Sequence, residues 1–387
     1  MERDDQTTVN NLPQDMMSNL AVQLVFYVIY SVIFFLGLFG NVLVIFVVGR
    51  NHRMQTVTNL FIANLALSDM LLCLLAVPFT PLYTFLGGWV FGKTLCHLVP
   101  YSQAVSVYIS TLTLTSIAVD RFLVIIYPFQ ARMMIRTCLV IIMGIWLISL
   151  LITLPFGLYM RQIEDESHVF WCAENWPSES FRQIFSAFTS VMQYVVPFFV
   201  IAFCYICVSI KLNDRVRAKP GNKSNKREEE ERERKRRTNR MLIAMVSVFG
   251  VCWLPLNIAL IIADFYTTVY YDWPYFRFYF FISHCIAMSS TCYNPFLYAW
   301  LNENFRKEFQ QILPCFLRSA NGNIPRTNET CRGDKIDNGN NTMQETLLAS
   351  TKAQNLDGCE MTMLERTTNA KNQLNQPSCS KDSDDTL

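Results

Sequence analysis

Two long runs of this chain contain no charged side chain. Residues 21–48 and residues 183–210 are each 28 residues long and lack Asp, Glu, Lys and Arg. Soluble domains do not carry such runs, whereas a helix that crosses a bilayer needs about 20 predominantly apolar residues. Charged residues make up only 17% of the chain, against roughly 25% in an ordinary soluble domain. The runs exclude a soluble enzyme and a fibrous protein and predict a membrane protein.

Seven stretches of the chain meet this criterion for a membrane-spanning helix. They are residues 21–48, 59–86, 95–126, 137–160, 183–210, 241–263 and 278–302, which we call spans one to seven. Each is far too long for a membrane strand, so each is predicted to be a helix. The expected fold class is an all-α membrane protein, a seven-transmembrane helix bundle. No segment recurs along the chain, which weighs against the repeat-built transporters.

Basic residues in the connections predict the orientation of the bundle. The connection 211–240 contains 13 Lys and Arg residues, whereas the three opposite connections together hold only four, which are Lys93, Arg161, Arg182 and Arg277. Because basic loops remain in the cytoplasm, segment 1–20 should be extracellular and the carboxyl end cytoplasmic. We expect a multi-pass protein of the plasma membrane, with the first span as an uncleaved signal anchor. The net charge of +2 gives no reason to expect nucleic acid as a partner.

Polar segments follow the spans on the cytoplasmic side. The connection 211–240, broken at Pro220-Gly221, is either a solvated helix extension or a docking surface for a cytoplasmic protein. Residues 303–316 repeat apolar side chains at helical spacing beside basic residues, which predicts a short amphipathic eighth helix against membrane lipids. Cys315 within it is a candidate for palmitoylation. Residues 317–387 have few aromatic side chains and are predicted to form a disordered tail.

Two of the 13 cysteines, Cys96 and Cys172, lie on the predicted outer side. Isolated pairs in an oxidising compartment form disulfides, so we predict a bond between them. The alternative is two independent thiols. The other cysteines lie in spans or in the cytoplasm and are expected to be reduced, and their spacing indicates no metal site.

A charged residue deep in a bilayer is costly and marks a candidate functional site. Asp69 lies ten residues into span two, and its candidate neighbours are Asn41 in span one and Asn294 in span seven. We interpret the three residues as a pocket for a small cation, sodium first of all. The alternative is a neutral Asp69 satisfied by hydrogen bonds. No other cofactor is expected.

Short motifs then appear one per span, in order along the chain. They are Gly40-Asn41-Val42, Leu65-Ala66-Leu67-Ser68-Asp69, Asp120-Arg121-Phe122, Trp146, Pro197, Cys252-Trp253-Leu254-Pro255 and Asn294-Pro295-Phe296-Leu297-Tyr298. With the outer cysteine pair, this set resembles the rhodopsin-type family of G-protein-coupled receptors. One departure is Phe122, where the family more often has Tyr. The resemblance implies a receptor that catalyses no covalent reaction, activates a heterotrimeric G protein of the inhibitory class, and meets receptor kinases and arrestin through its tail.

The resemblance also assigns residues to activation and G-protein coupling. They are Asp120, Arg121, Tyr205, Phe249, Trp253, Pro255, Pro295 and Tyr298. Asp120 would restrain Arg121 at rest, and Arg121 would move to meet the G protein. The four aromatic residues would couple the ligand pocket to the opening of span six and stabilise the open state. Ordinary core packing is the alternative for all four.

The sequence argues against two classes of ligand and favours a third. Span seven has no Lys to bind a retinal Schiff base, which excludes an opsin. Receptors for amines need a carboxylate where this chain has Gln103, which disfavours a small amine. The outer segments hold eleven acidic against five basic residues, and an acidic mouth attracts a cationic ligand. Solvated surface acids are the alternative interpretation.

A finer resemblance points to a peptide. The segments 64–69, 77–83, 96–101 and 109–117 are similar to neuropeptide Y receptors, and 78–85 and 124–129 look most like invertebrate short neuropeptide F receptors. This implies a short, basic, amidated ligand of the Arg-Phe-amide type. The alternatives are a longer neuropeptide Y-type peptide and, in a different class, a transporter or channel with Asp69 as ion relay. By this analogy Asp264 would pair with a ligand arginine, and the pocket would also contain Gln103, Gln193, Leu260 and His284. The Gln and His residues have an alternative role as interhelical hydrogen bonds.

Overall fold

Helices dominate the residues that the computed structural model describes, which are 16–217, 226–266 and 273–312. The α-helices are Leu20–Arg50, Val57–Leu75, Phe79–Leu86, Gly92–Ile126, Ile135–Leu158, Glu179–Ser190, Val196–Arg217, Lys226–Phe265, Phe276–Leu301 and Glu303–Ile312. Short 3-10 turns lie at Met16–Ser18 and His52–Met54, and strands β1 (Met160–Glu164) and β2 (Phe170–Glu174) form a hairpin. Each of the seven predicted spans falls mainly on helices, so the predicted helical bundle is confirmed. The helix of span four ends at Leu158 rather than at the predicted residue 160, because Met160 belongs to β1.

Six helical segments in the described part of the chain are long and apolar enough to cross a membrane, and they coincide with spans one to six. The helix of span seven, Phe276–Leu301, is long enough as well but is more polar. Its buried polar residues include Ser283, His284 and Asn294. Large apolar side chains on the outside of the bundle, such as Phe35 and Val140, are exposed, as expected of faces that meet lipid.

Span two is two helices rather than one. The first ends at Leu75, and the second begins at Phe79, directly after Pro78. The backbone N–H groups of Ala76 and Val77 both donate to the carbonyl of Leu72, at 3.0 and 3.1 Å. Because proline has no N–H to continue the ladder, the helix is interrupted before Pro78.

Span five contains a π-helical turn, Val191–Val195, that the sequence analysis did not predict. The N–H of Val196 donates to the carbonyl of Val191, five residues back. Pro197 follows, and its missing N–H leaves the carbonyl of Gln193 without its α-helical donor. The wide turn therefore coincides with the place where proline disrupts the normal hydrogen-bond pattern.

The eighth helix, Glu303–Ile312, docks on the inner end of the bundle. Phe305 and Phe309 are buried, and the ring of Phe305 stacks on Tyr298 with ring centroids 5.3 Å apart. Asn51 donates to Glu308 over 2.8 Å and links the helix to the first connection. The predicted amphipathic helix is present, while Cys315, Pro220-Gly221 and the tail 317–387 lie outside the described residues.

Candidate functional site

A disulfide joins the outer end of span three to the hairpin. Cys96 and Cys172 are bonded, with their Cα atoms 5.6 Å apart, as predicted. Cys96 is fully buried with Trp89, Val99 and Met160. The hairpin is therefore fixed to the bundle at β2 and packs on it through β1.

The turn of the hairpin is organised by one carboxylate. Asp165 accepts hydrogen bonds from the indole N–H of Trp171 at 3.0 Å and from the backbone N–H groups of Val169 and Ser167 at 3.0 and 2.8 Å. These donors, the indole first, hold the pKa of Asp165 below its usual value. Asp165 thus keeps its negative charge at the tip of the hairpin. His168 in the same turn has a left-handed backbone conformation, with a φ of 61°.

The polar residues proposed for the pocket occupy different environments. Gln103 in span three and Gln193 in the π-helical turn are half-buried, and Leu260 in span six is exposed. Gln193 takes its position from the turn that precedes Pro197. No direct bond joins any two of the five proposed ligand residues among the hydrogen bonds of the described chain.

His284 links spans rather than facing an open space. It is 2% exposed, and its Nδ1 is hydrogen-bonded to the hydroxyl of Tyr30 in span one over 2.7 Å. Its Nε2 lies 3.5 Å from the hydroxyl of Thr80, and the ring of Phe280 stacks on it at 6.0 Å. These contacts correspond to the alternative role of an interhelical hydrogen bond, and Tyr30 is a partner that the sequence analysis missed.

Asp264 lies at the outer end of span six and is bound by span five. Arg182 forms an ion pair with one carboxylate oxygen, and the hydroxyl of Ser186 donates to the other. The side chain of Gln183 donates to the backbone carbonyl of Asp264 over 3.1 Å. Asp264 therefore has an arginine partner within the chain itself, which the sequence analysis did not foresee because 82 residues separate the two.

The predicted cation-pocket residues join three spans. The side-chain nitrogen of Asn294 donates to Asp69 over 3.0 Å. Asn41 is fully buried but donates to the carbonyls of Gly37 and Thr291, both at 2.9 Å, rather than to Asp69. Its side-chain oxygen has no hydrogen-bond partner in the described part of the chain. A carboxylate and a free amide oxygen are the donor types that a small hard cation takes.

Trp253 connects spans six and seven below the outer end of the bundle. Its indole N–H donates to the hydroxyl of Ser290 over 3.2 Å, and Phe249 lies one turn away with ring centroids 5.9 Å apart. Pro255 interrupts the hydrogen bonds of the same helix two residues later. The hydroxyl of Tyr194 in the π-helical turn donates to the carbonyl of Gly250 over 2.7 Å. The region around this proline is thus held from both neighbouring spans.

Arg121 is restrained at the inner end of span three. It pairs with Asp120 over 2.6 Å and also donates to the hydroxyl of Thr58 in span two. Asp120 is buried, as are Tyr205 and Tyr298, whose hydroxyl groups have no hydrogen-bond partner in the described chain. Arg121 is thus in contact with the neighbour proposed to restrain it, and Thr58 is an additional partner.

Span six is tied to the eighth helix on the same inner face. Arg237 pairs with Glu303, and its other nitrogen donates to the carbonyl of Trp300 over 3.1 Å. The helix begins at Lys226, so the predicted helical extension after the break is present.

Comparison with known proteins gives the family. The sequence model described as "7 transmembrane receptor (rhodopsin family)" matches residues 40–298, from span one to Tyr298. The seven-span architecture and the expectation of a receptor rather than an enzyme agree with this match.

Individual relatives are identical to this chain at more than a third of the aligned positions. "Neuropeptide Y receptor type 6" of Mus musculus is 37% identical over 302 residues, which is 75% of this chain and 80% of that protein. "Neuropeptide F receptor" of Drosophila melanogaster is 37% identical over 315 residues, 77% of this chain and 64% of that longer protein. "Neuropeptide Y receptor type 2" of Homo sapiens is 37% identical over 303 residues, 76% of this chain and 78% of that protein. The chain belongs to the rhodopsin family of seven-transmembrane receptors.

Proposed function

We propose that this receptor binds a short, basic, amidated neuropeptide of the short neuropeptide F or Arg-Phe-amide type and activates a heterotrimeric G protein. The observation that carries the proposal is the acidic group at the outer ends of spans five and six. Asp264 lies there with Glu179 and a single arginine, Arg182, so two carboxylates share one cation. Such a group can accept one guanidinium from a ligand.

The outer surface and the relatives support a peptide ligand. The hairpin adds Glu164, Asp165 and Glu166 to the acidic residues on the proposed outer side. A surface of this sign raises the association rate of a cationic ligand. The relatives named above are receptors for neuropeptide Y and neuropeptide F by name, and a longer peptide of that type is the second candidate ligand.

On the inner face we propose the coupling site. Arg121 would leave Asp120 and Thr58 to contact the G protein, which we take to be of the inhibitory class. The 13 basic residues of the connection 211–240 support an orientation with the amino end outside and the tail in the cytoplasm of the plasma membrane. Arrestin and receptor kinases would act on the tail, and Cys315 would carry palmitate beside membrane lipids. Membership of a receptor family leaves the transporter or channel alternative without support.

A sodium ion is proposed as an allosteric ligand inside the bundle. Asp69 would supply the charge, and Asn41 and Asn294 would complete the polar surroundings. The buried oxygen of Asn41 that lacks a partner supports this assignment. When bound, the ion would neutralise Asp69 and favour the resting arrangement of spans one, two and seven.

A panel of peptides on transfected cells tests the proposal. The panel holds short amidated peptides ending in Arg-Phe, the same peptides with a free carboxyl end, and longer neuropeptide Y-type peptides. We expect G-protein activation at the lowest concentration by the short amidated set. Stronger activation by the longer peptides would favour the second candidate, and activation by none would contradict a ligand of this chemistry.

A further inference from the structure

Arg182 is bound to the carboxylate of Asp264, which the proposed function assigns to an arginine of the ligand. It pairs with one oxygen of Asp264, and Ser186 donates to the other, so both oxygens are in use. The side chains of Arg182 and Asp264 are only 18% and 15% exposed. Water therefore screens this pair less than it screens a fully exposed ion pair.

We propose that Arg182 is an internal competitor for the ligand's arginine and thereby sets the affinity and charge specificity of the outer site. This inference rests on the proposed function. A guanidinium that binds a carboxylate side by side uses both of its oxygens. One of these oxygens is held by Arg182 and the other by Ser186, so Arg182 must release its oxygen before the ligand's arginine can bind Asp264 side by side.

Glu179 gives Arg182 a second partner when Asp264 is taken. The Nε of Arg182 donates to Glu179 over 3.2 Å, and a second nitrogen pairs with the other oxygen of the same carboxylate. The two acids and one base carry a net charge of −1 at rest. Entry of one ligand arginine would bring the group to neutrality while each guanidinium keeps a carboxylate. The exchange therefore leaves no buried charge unpaired.

The packing of spans five and six does not depend on the contested oxygens alone. The helix of span six ends at Phe265, and its last carbonyls have no donor within the helix. Gln183 donates to the carbonyl of Asp264 over 3.1 Å. A change at Arg182 leaves this bond in place, so we expect the outer ends of both spans to stay folded in such a variant.

The test compares Arg182→Gln with Arg161→Gln, which removes the same charge from an exposed site on β1. Two probes are used, an amidated peptide ending in Arg-Phe and the same peptide with citrulline, an uncharged analogue, in place of arginine. We expect Arg182→Gln to raise the affinity for the arginine peptide about fivefold and to leave citrulline-peptide affinity unchanged. Arg161→Gln should change neither affinity by as much as twofold.

Two further variants sharpen the result. Glu179→Gln removes the second partner and should lower the affinity for the arginine peptide, because Arg182 is then held by Asp264 alone. Arg182→Lys keeps the charge but loses the planar fork, and it should give a smaller gain than Arg182→Gln. A folded Arg182→Lys receptor keeps the test informative if the Gln variant does not reach the surface.

Two results would overturn the competition. One is a lower affinity in both Arg182 variants, which would make Arg182 a supporting contact of the ligand. The other is an equal gain in affinity for the arginine peptide in Arg161→Gln, which would show that the loss of any positive charge on this side has the same general electrostatic effect. Failure of the proposed function looks different, because the wild-type receptor would then bind the arginine and citrulline peptides equally, whatever stands at position 182.

Discussion

The side chain of Asn294 donates a hydrogen bond to Asp69 over 3.0 Å and ties span seven to span two inside the bundle. Asn41 of span one bonds to the carbonyl of Thr291, one turn before Asn294. A Cβ atom at Gly37 would lie 2.6 Å from the sulfur of Cys73 and 2.8 Å from the hydroxyl of Thr291, so glycine allows the three spans to approach this closely. A change of charge at Asp69 therefore occurs where spans one, two and seven pack against one another.

Asp69→Asn should keep peptide binding but remove its dependence on sodium and weaken signalling. The amide fills nearly the same volume but lacks the charge that would hold a cation. Peptide affinity is measured in sodium and in a large organic cation at equal ionic strength. Asp165→Asn, a change outside the bundle, is the control and should retain the sodium effect. A sodium effect that persists in Asp69→Asn would leave Asp69 as a hydrogen-bonded structural residue.

Replacing Cys96 or Cys172 by Ala should lower surface expression or peptide binding. The bond closes a loop of 76 residues and holds the hairpin on span three, and loss of such a constraint typically costs about 2–5 kcal/mol. Cys207→Ala, in a half-buried free cysteine of span five, is the control. Normal binding in both single variants would show that the mouth of the receptor forms without the bond.

A double-mutant cycle tests the pairing of Asp264 with the ligand. Asp264→Ala is combined with Arg→Ala at each arginine of the peptide, and the four affinities give a coupling energy. Loss of one partner from a desolvated pair costs about 2–5 kcal/mol, whereas an acid that supplies only a general field contributes about 0–1 kcal/mol. We expect strong coupling at one arginine. Additive losses at every arginine would mean that Asp264 does not touch the peptide.

Tyr30→Phe and His284→Phe separate the two roles of His284. If the histidine serves mainly to join spans one and seven, each change removes the buried hydrogen bond between the two residues and costs about 1–3 kcal/mol of stability. His284→Phe also removes the longer contact with Thr80. The double variant should then lose little more than either single one. Thermal unfolding measures this, with peptide affinity in parallel. A drop in affinity in His284→Phe alone, at unchanged stability, would instead place His284 in the ligand pocket.

Much of the fold could be predicted because a membrane span can be recognised from its own continuous stretch of sequence. The absence of charge over 21–48 and the basic connection 211–240 are properties of continuous sequence, and helices follow from them. The bond between Cys96 and Cys172 was predictable because topology leaves these two cysteines alone on one side. A proline such as Pro78 shows where a helix loses a hydrogen bond but not how far the interruption extends, and the π-helical turn before Pro197 has no recognisable sequence pattern.

The contacts of the candidate site could be predicted only in part. Asp69 and Asn294 were expected to meet because a buried charge needs a polar partner. The pairing of Arg182 with Asp264 depends on where two helix ends meet, and the sequence contains no local sign of that. For the same reason the bond from Tyr30 to His284, across 254 positions, was not foreseen.

The central claim is that a basic amidated peptide makes this chain a catalyst of nucleotide exchange on a G protein. The most direct measurement is the rate of guanine-nucleotide exchange on an inhibitory-class G protein reconstituted with the purified receptor. We expect an amidated peptide ending in Arg-Phe to accelerate exchange, its free-acid form to do so far less, and Arg121→Ala to abolish the effect while peptide binding persists. An unchanged exchange rate with every peptide of the panel, at concentrations that saturate binding, would contradict the claim.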